Sequence, residues 1–198
     1  MGKLVLCVNT ELSPSIRLSD RGSCNEMVWE SGLALDVKKY DFSRLEFVCE
    51  KLNSGGMTDF AVTDMGCTII SERLKNFLEK NGIGNIQYFP ASVIEREGEQ
   101  PSDGYYAANI IGLVNCIDRD ASDMRARRDK NGELNIIMRI RKFVLRQPEH
   151  DLGSLYRVLS FTRLILIDRT FKEKIESAGL TGIRLVAPDR WDGLNGER

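Results

Sequence analysis

The stretch Ile69-Ile70-Ser71-Glu72-Arg73-Leu74-Lys75-Asn76-Phe77-Leu78-Glu79-Lys80-Asn81-Gly82-Ile83-Gly84-Asn85-Ile86-Gln87-Tyr88-Phe89-Pro90 decides how this chain is read. Ser71 stands where a helix N-cap belongs, its hydroxyl placed to accept a free amide of the first turn. Leu74, Phe77 and Leu78 fall on one face at helical spacing. Gly82 supplies the left-handed residue that stops a helix. With Asn81 as C-cap, Leu78 and Ile83 take the two positions whose apolar contact closes a Schellman ending. Ile86–Phe89 then reads as a strand that ends at Pro90.

The same order returns 97 residues later (168 − 71). Asp168 takes the place of Ser71 as N-cap. Phe171 and Ile175 replace Leu74 and Leu78, Gly179 replaces Gly82, Leu180 replaces Ile83, and Ile183–Val186 replaces Ile86–Phe89. Ile70 and Ile167 even match just before the caps. Duplication produces such agreement, and so does convergence on a common helix–turn–strand geometry.

Outward from these units the chain reads mostly as strands. Lys3–Asn9 is a short strand. Residues 10–42 give no period and predict loops, with a short element around Glu26–Trp29. Ser43 and Glu46 form a capping box, and Leu45, Val48, Cys49 and Leu52 make an apolar stripe, so a helix is expected there, ended by Gly55-Gly56. A strand around Asp59–Thr63 follows. Tyr105–Asn115, Leu155–Ser160 and Leu164–Ile167 are β sequence. Leu134–Leu145 alternates around Ile136, Met138, Ile140 and Lys142, and Asn131-Gly132 before it is a two-residue hairpin signal. The tail after Trp191 reads as loose. The expected class is α+β: a mixed or antiparallel sheet with a few packed helices and the helix–turn–strand unit twice. Residues 1–198 are read as a single domain. If there are two subdomains, the polar stretch Glu95–Gly104 divides them.

Composition narrows the function. The 198 residues are 42% hydrophobic and 29% charged, and the net charge is −1. A chain this long buries about 70% of its unfolded surface, so stability requires neither metal nor disulfides. Near-neutral charge argues against a protein devoted to nucleic acid or to an anionic membrane. Residues 1–100 hold 11 basic and 15 acidic side chains, and residues 101–198 hold 17 and 14, which gives −4 and +3. The five cysteines Cys7, Cys24, Cys49, Cys67 and Cys116 are spread without a C-x-x-C pair. That spacing fits reduced thiols in a cytoplasmic protein. Met1–Asn9 is too short and mixed for a signal peptide, no apolar run approaches a membrane span, and Leu6 stands where a myristoylation motif wants Ser or Thr.

Candidate chemistry is sparse. Asp118, Asp120 and Asp123 are spaced like cation ligands, yet an EF-hand loop would need Gly at Asp123 and usually Glu at Asp129. The alternative is a solvated strand-to-loop junction, with Arg119 and Arg125 neutralising the cluster. His150 is the single histidine and sits in a polar turn. Cys67, after Met65-Gly66, has no basic partner nearby in sequence. Gly55-Gly56 and Gly82-x-Gly84 lack the Lys-Ser or Lys-Thr of a phosphate loop. No catalytic residue, metal site or cofactor is assigned. Trp191 reads as a packing residue.

The basic stretch is the main surface feature: Arg125, Arg127, Arg128 and Lys130, then Arg139, Arg141, Lys142 and Arg146. On a strand, Arg139 and Arg141 share a face. Three roles fit, in this order: a solvated face or protected sheet edge, a contact for an acidic protein partner, and a nucleic-acid surface. The last is poorly served by aromatics, since only Phe143 lies nearby. Arg125, Arg127, Arg128, Arg139 and Arg141 are the expected partner-binding residues.

Certain pieces, taken in order, carry a resemblance. They are Asp59-Phe60, Ile69-Ile70-Ser71-Glu72-Arg73-Leu74, Phe89-Pro90, Tyr105-Tyr106, Val114–Ser122 with Cys116-Ile117-Asp118, and Ala178-Gly179-Leu180-Thr181-Gly182-Ile183. From about residue 40 to 193 the chain resembles immunity protein family 11 of bacterial polymorphic-toxin systems, formerly a domain of unknown function. The resemblance implies a non-catalytic protein that binds and neutralises a cognate toxin by covering its active site or its membrane-acting surface. It carries over no toxin-contact residues. The alternative from the residues alone is a nucleic-acid-binding module using the basic hairpin at 125–146.

Overall fold

The computed structural model describes residues 2–19, 29–43, 45–51, 56–96, 98–128, 130–131, 134–146 and 153–194. Among them are thirteen strands and two helices: β1 (Lys3–Val8), β2 (Ser15–Leu18), β3 (Leu45–Lys51), β4 (Phe60–Val62), β5 (Thr68–Ser71), α1 (Glu72–Lys80), β6 (Ile86–Ile94), β7 (Ser102–Ile110), β8 (Leu113–Val114), β9 (Asp123–Arg128), β10 (Leu134–Lys142), β11 (Leu155–Val158), β12 (Phe161–Asp168), α2 (Phe171–Ser177) and β13 (Ile183–Val186). The strands make a five-stranded sheet in the order β13-β1-β12-β11-β8, a six-stranded sheet in the order β2-β3-β6-β7-β5-β4, and the two-stranded ribbon β10-β9. Pairing is antiparallel except for β3 with β6 and β11 with β8.

The described residues are therefore mostly β, 45% of them in strands and 10% in helices, and the expected α+β class is corrected. The segment read as a helix from Ser43 accounts for much of the difference. Leu45, Phe47 and Cys49 are buried while the residues between them are more open. That alternation serves a strand held between β2 and β6. The capping box is not made either. Ser43 Oγ donates to Asp41 at 2.6 Å, and Glu46 accepts from Ser19 Oγ at 2.8 Å. The sequence offers both periods, and pairing on two sides selects the period of two.

Both helix–turn–strand units end as their glycines dictate. In α1, Ser71 Oγ accepts the Leu74 N–H at 3.1 Å. Ile83 N–H reaches Leu78 O and Gly82 N–H reaches Glu79 O, both at 3.0 Å. In α2, Leu180 N–H reaches Ile175 O at 3.3 Å and Gly179 N–H reaches Glu176 O at 3.0 Å. These are two Schellman endings. The start of α2 differs from expectation. Its N-cap is Thr170, without a side-chain bond. Asp168 is instead the last residue of β12, where it faces Lys3 on β1 and pairs with it at 2.6 Å. β6 also runs through Pro90 instead of stopping there. Its ladder with β3 begins at Leu45 opposite Ala91, so the prolyl nitrogen stands just before that ladder starts.

Among the described residues, three apolar clusters hold the fold. The first packs Leu74 and Leu78 of α1 with Phe171 and Ile175 of α2, against Ile165 and Ile167 of one sheet and Ile70, Ala108 and Ile110 of the other. The second seats Ile137 and Ile140 of the ribbon on Val5, Leu164 and Leu166, with Phe143 and Trp191. The third gathers Trp29, Phe47, Ile69, Phe89 and Val93 on the six-stranded sheet. The element expected around Glu26–Trp29 falls mostly outside the described residues. Trp29 itself is buried, edge-on to Phe42 and Phe89.

Candidate partner-binding surface

The ribbon β9–β10 owes its shape to three irregularities in β10, which fall between Leu134 and Ile136, Ile137 and Arg139, and Ile140 and Lys142. Each extra residue breaks strict alternation. Burial in β10 therefore recurs every third residue, at Ile137 and Ile140, and next at Phe143. Met138, which alternation points inward, is 55% exposed. On β9, Met124 and Ala126 pack against the core, and Arg125 and Arg127 face out.

The consequence is a concentration of charge. Arg125, Arg127, Arg139, Arg141 and Lys142 are all exposed on this ribbon, and Asp123 is the one acid within the two strands. Arg125 lies directly opposite Arg139. Like charges facing each other across an antiparallel pair are unfavourable by roughly 0.2–1 kcal/mol. None of the four arginines has an ion-pair partner among the described residues. Arg128 pairs through its backbone with Leu134, and its side chain lies outside the described part. Arg146 does not belong to this face. Its Nε and Nη2 donate to the Asn115 carbonyl at 3.2 and 3.0 Å.

The remaining sequence candidates fall elsewhere. Asp118 Oδ1 accepts the N–H groups of Asp120 and Ala121 at 3.1 and 3.0 Å and so shapes the turn before β9. Among the described residues no group of three or more His, Cys, Asp or Glu side chains converges as a metal site. Cys67 is 1% exposed, and its backbone N–H donates to Thr63 Oγ1. His150 lies outside the described residues. Trp191 is buried edge-on to Phe143, and its Nε1 donates to Leu194 O at 2.9 Å. Among the described residues no helix is long and apolar enough to cross a membrane.

Several short motifs that are far apart in the sequence meet at one point. Asp59 is buried and accepts Ser71 Oγ at 2.7 Å on one carboxylate oxygen. On the other it accepts Thr181 N–H at 2.8 Å and Thr181 Oγ1 at 3.0 Å. Arg73 approaches the same carboxylate at 3.5 Å and also donates to Ala178 O. The N-cap of α1 is thus tied to the ending of α2. Gly182 passes so close that a Cβ there would collide with Phe60 O and Thr58. This node joins the two units. The cap Ser71 and the stop Gly179 were legible in the sequence, but nothing there marks Asp59 as the link between Ser71 and Thr181.

The fold and the basic face of β9–β10 define a mostly-β protein that presents an arginine ribbon on a scaffold braced by two short helices. The model of an immunity protein family, Imm11, matches residues 17–187, and the chain belongs to that family. The match starts at β2, well before the region about residue 40 where the short motifs begin. No curated protein matches the chain.

Proposed function

We propose that the protein binds and neutralises a cognate toxin without catalysis of its own, and that the exposed face of β9–β10 is its contact surface. Membership of the immunity family carries the first half. The second rests on Arg125 and Arg139, which oppose each other across the ribbon. An acidic partner surface converts that repulsion into attraction, speeds encounter and fixes register. Exposed Met138 beside Arg139 supplies an apolar anchor of the kind that slows release. The ribbon serves nucleic acid less well, because Phe143, its nearby aromatic, is 1% exposed and cannot stack on a base.

The test is co-expression and pull-down with the toxin encoded beside the protein. Wild type is expected to bind and to protect. The charge-reversed pair Arg125→Glu with Arg139→Glu is expected to lose protection and to slow association at least about tenfold. Absence of both binding and protection by wild type removes the immunity reading. Full protection by the charge-reversed pair moves the contact elsewhere. Salt-sensitive binding of mixed RNA, without any toxin binding, would favour the nucleic-acid module.

A further inference from the structure

The three sheets differ in how their edges end. The six-stranded sheet meets itself, because its outer strands β2 and β4 are bridged at Ile16 and Thr63. In the five-stranded sheet, the edge strand β8 is only Leu113–Val114. At the other edge Arg184, the arginine of β13, is ion-paired to Glu11 at 3.2 Å. The ribbon is different. β10 is tied to the body, where Ile137 N–H donates to Ser160 O at 3.0 Å. β9 pairs with β10 and, among the described residues, with no other strand. One edge of β9 is therefore open along Asp123–Arg128. Alternate residues of a strand turn their backbone groups to each side, so this edge offers about three N–H and three C=O groups.

The side chains along this edge choose between occupants. Arg125 and Arg127 stand on the exposed face, about 7 Å apart along the strand. Neither has an ion-pair partner among the described residues. Asp123, the acid of this strand, lies opposite Lys142 on β10. Met124 and Ala126 alternate with the arginines and pack toward the core. A second copy pairing here would set arginine against arginine, which cross-strand pairing disfavours. Phosphates would meet the charge but carry no donor for the open C=O groups. An extended peptide with carboxylates at alternate positions answers both needs. Its backbone completes the ladder, and its acids fall beside Arg125 and Arg127. Its intervening side chains lie next to Met124 and Ala126, where small apolar residues fit.

We infer that the open edge of β9 takes an extended acidic segment of the partner as an added strand, its alternate carboxylates facing Arg125 and Arg127. This docking mode rests on the ribbon being the toxin contact, and it gives the partner's side of that contact a shape. The full chain, labelled with nitrogen-15, is titrated with a short capped peptide of alternating glutamate and valine. Hydrogen exchange of the β9 amides is the readout. Saturating peptide is expected to slow alternate β9 amides at least about tenfold, with a Kd of about 1 mM. The same peptide N-methylated throughout keeps every carboxylate but donates no backbone hydrogen bond. It should bind at least about tenfold more weakly and slow no amide. Arg125→Glu with Arg127→Glu should abolish binding of the acidic peptide and instead accept a peptide of alternating lysine and valine, which also shows that the variant is folded. Equal affinity for the N-methylated peptide would overturn the added strand, leaving side-chain attraction alone. Slowing of these amides by raised concentration of the free chain would assign the edge to a second copy, and slowing by mixed RNA would assign it to nucleic acid. If the toxin binds in the pull-down and the peptide does not, the added strand is overturned and the toxin contact stands.

Discussion

Gly82 and Gly182 share a backbone angle and differ in surroundings, so together they separate two costs that are usually confounded. Both have φ +81°. A Cβ on Gly82 would meet nothing within 4 Å, whereas on Gly182 it would collide with the Phe60 carbonyl and Thr58. Gly82→Ala should therefore lose only the left-handed backbone preference, about 1 kcal/mol. Gly182→Ala should lose that and displace backbone at the joint between the two units, for a total above about 3 kcal/mol. Urea unfolding of the two variants measures the difference, and equal midpoints would show that the collision relaxes at no cost. Asp59 sits at the same joint. Asp59→Asn keeps the shape but replaces a charge-assisted acceptor of hydrogen bonds from Ser71, Thr181 and Arg73. A loss of about 2 kcal/mol is expected, again by urea midpoint. The local half of this region was legible in the sequence, because caps and glycine stops act within five residues. The other half was not, since the Asp59–Thr181 contact spans 122 positions and no spacing rule connects them.

At the scale of elements, the ribbon makes stability and binding move in opposite directions. Arg125→Glu replaces a like-charged cross-strand pair with an attractive one. The isolated protein should gain about 0.5 kcal/mol, seen as a small rise in urea midpoint. The same change should slow toxin association, because it places negative charge on the face proposed to meet an acidic partner. A variant that loses both stability and affinity would mean that Arg125 has a structural partner. The existence of this hairpin was readable from Asn131-Gly132 and the β-rich flanks. Its facing was not. Alternation placed Met138 inward, but the irregularities of β10 turn it out, and bulges leave no mark in composition. The same limit explains β3. Ser43 and Glu46 satisfy a helix-start rule with residues that Asp41 and Ser19 claim in the fold. Leu45, Phe47 and Cys49 had the alternating period all along. Only the strands on either side, both distant in sequence, decide between the two.

For the whole molecule, buried thiols and phenols set an alkaline limit. Burial pushes the Cys7 thiol up to about 12, with Asp192 adding to the effect. It pushes Cys49 and Cys116 up to about 11 and Tyr88 up to about 12, against ordinary values near 9 and 10. Burial also raises Tyr156. Each of these groups is held neutral by the fold and ionises sooner in the unfolded chain. A group whose folded pKa lies above its unfolded value contributes stability below the unfolded value and loses it as pH rises toward the folded one. The groups act in the same direction, so the loss should be cooperative in appearance. The urea midpoint should be flat from pH 7 to about 8 and then fall steeply between about 9 and 11. A thiol reagent at pH 8 should modify Cys7, Cys49 and Cys116 only as fast as the protein opens, because the reactive thiolate is suppressed and the sulfur is covered. The two measurements check each other. If the midpoint holds to pH 11 while these thiols react within seconds at pH 8, they are exposed and ordinary. The second apolar cluster, which Cys7 and Cys116 share with the ribbon residues Ile137 and Ile140, would then be open in solution. That result would also loosen the seat of the arginine face, because Ile137 and Ile140 fix which side of β10 faces out.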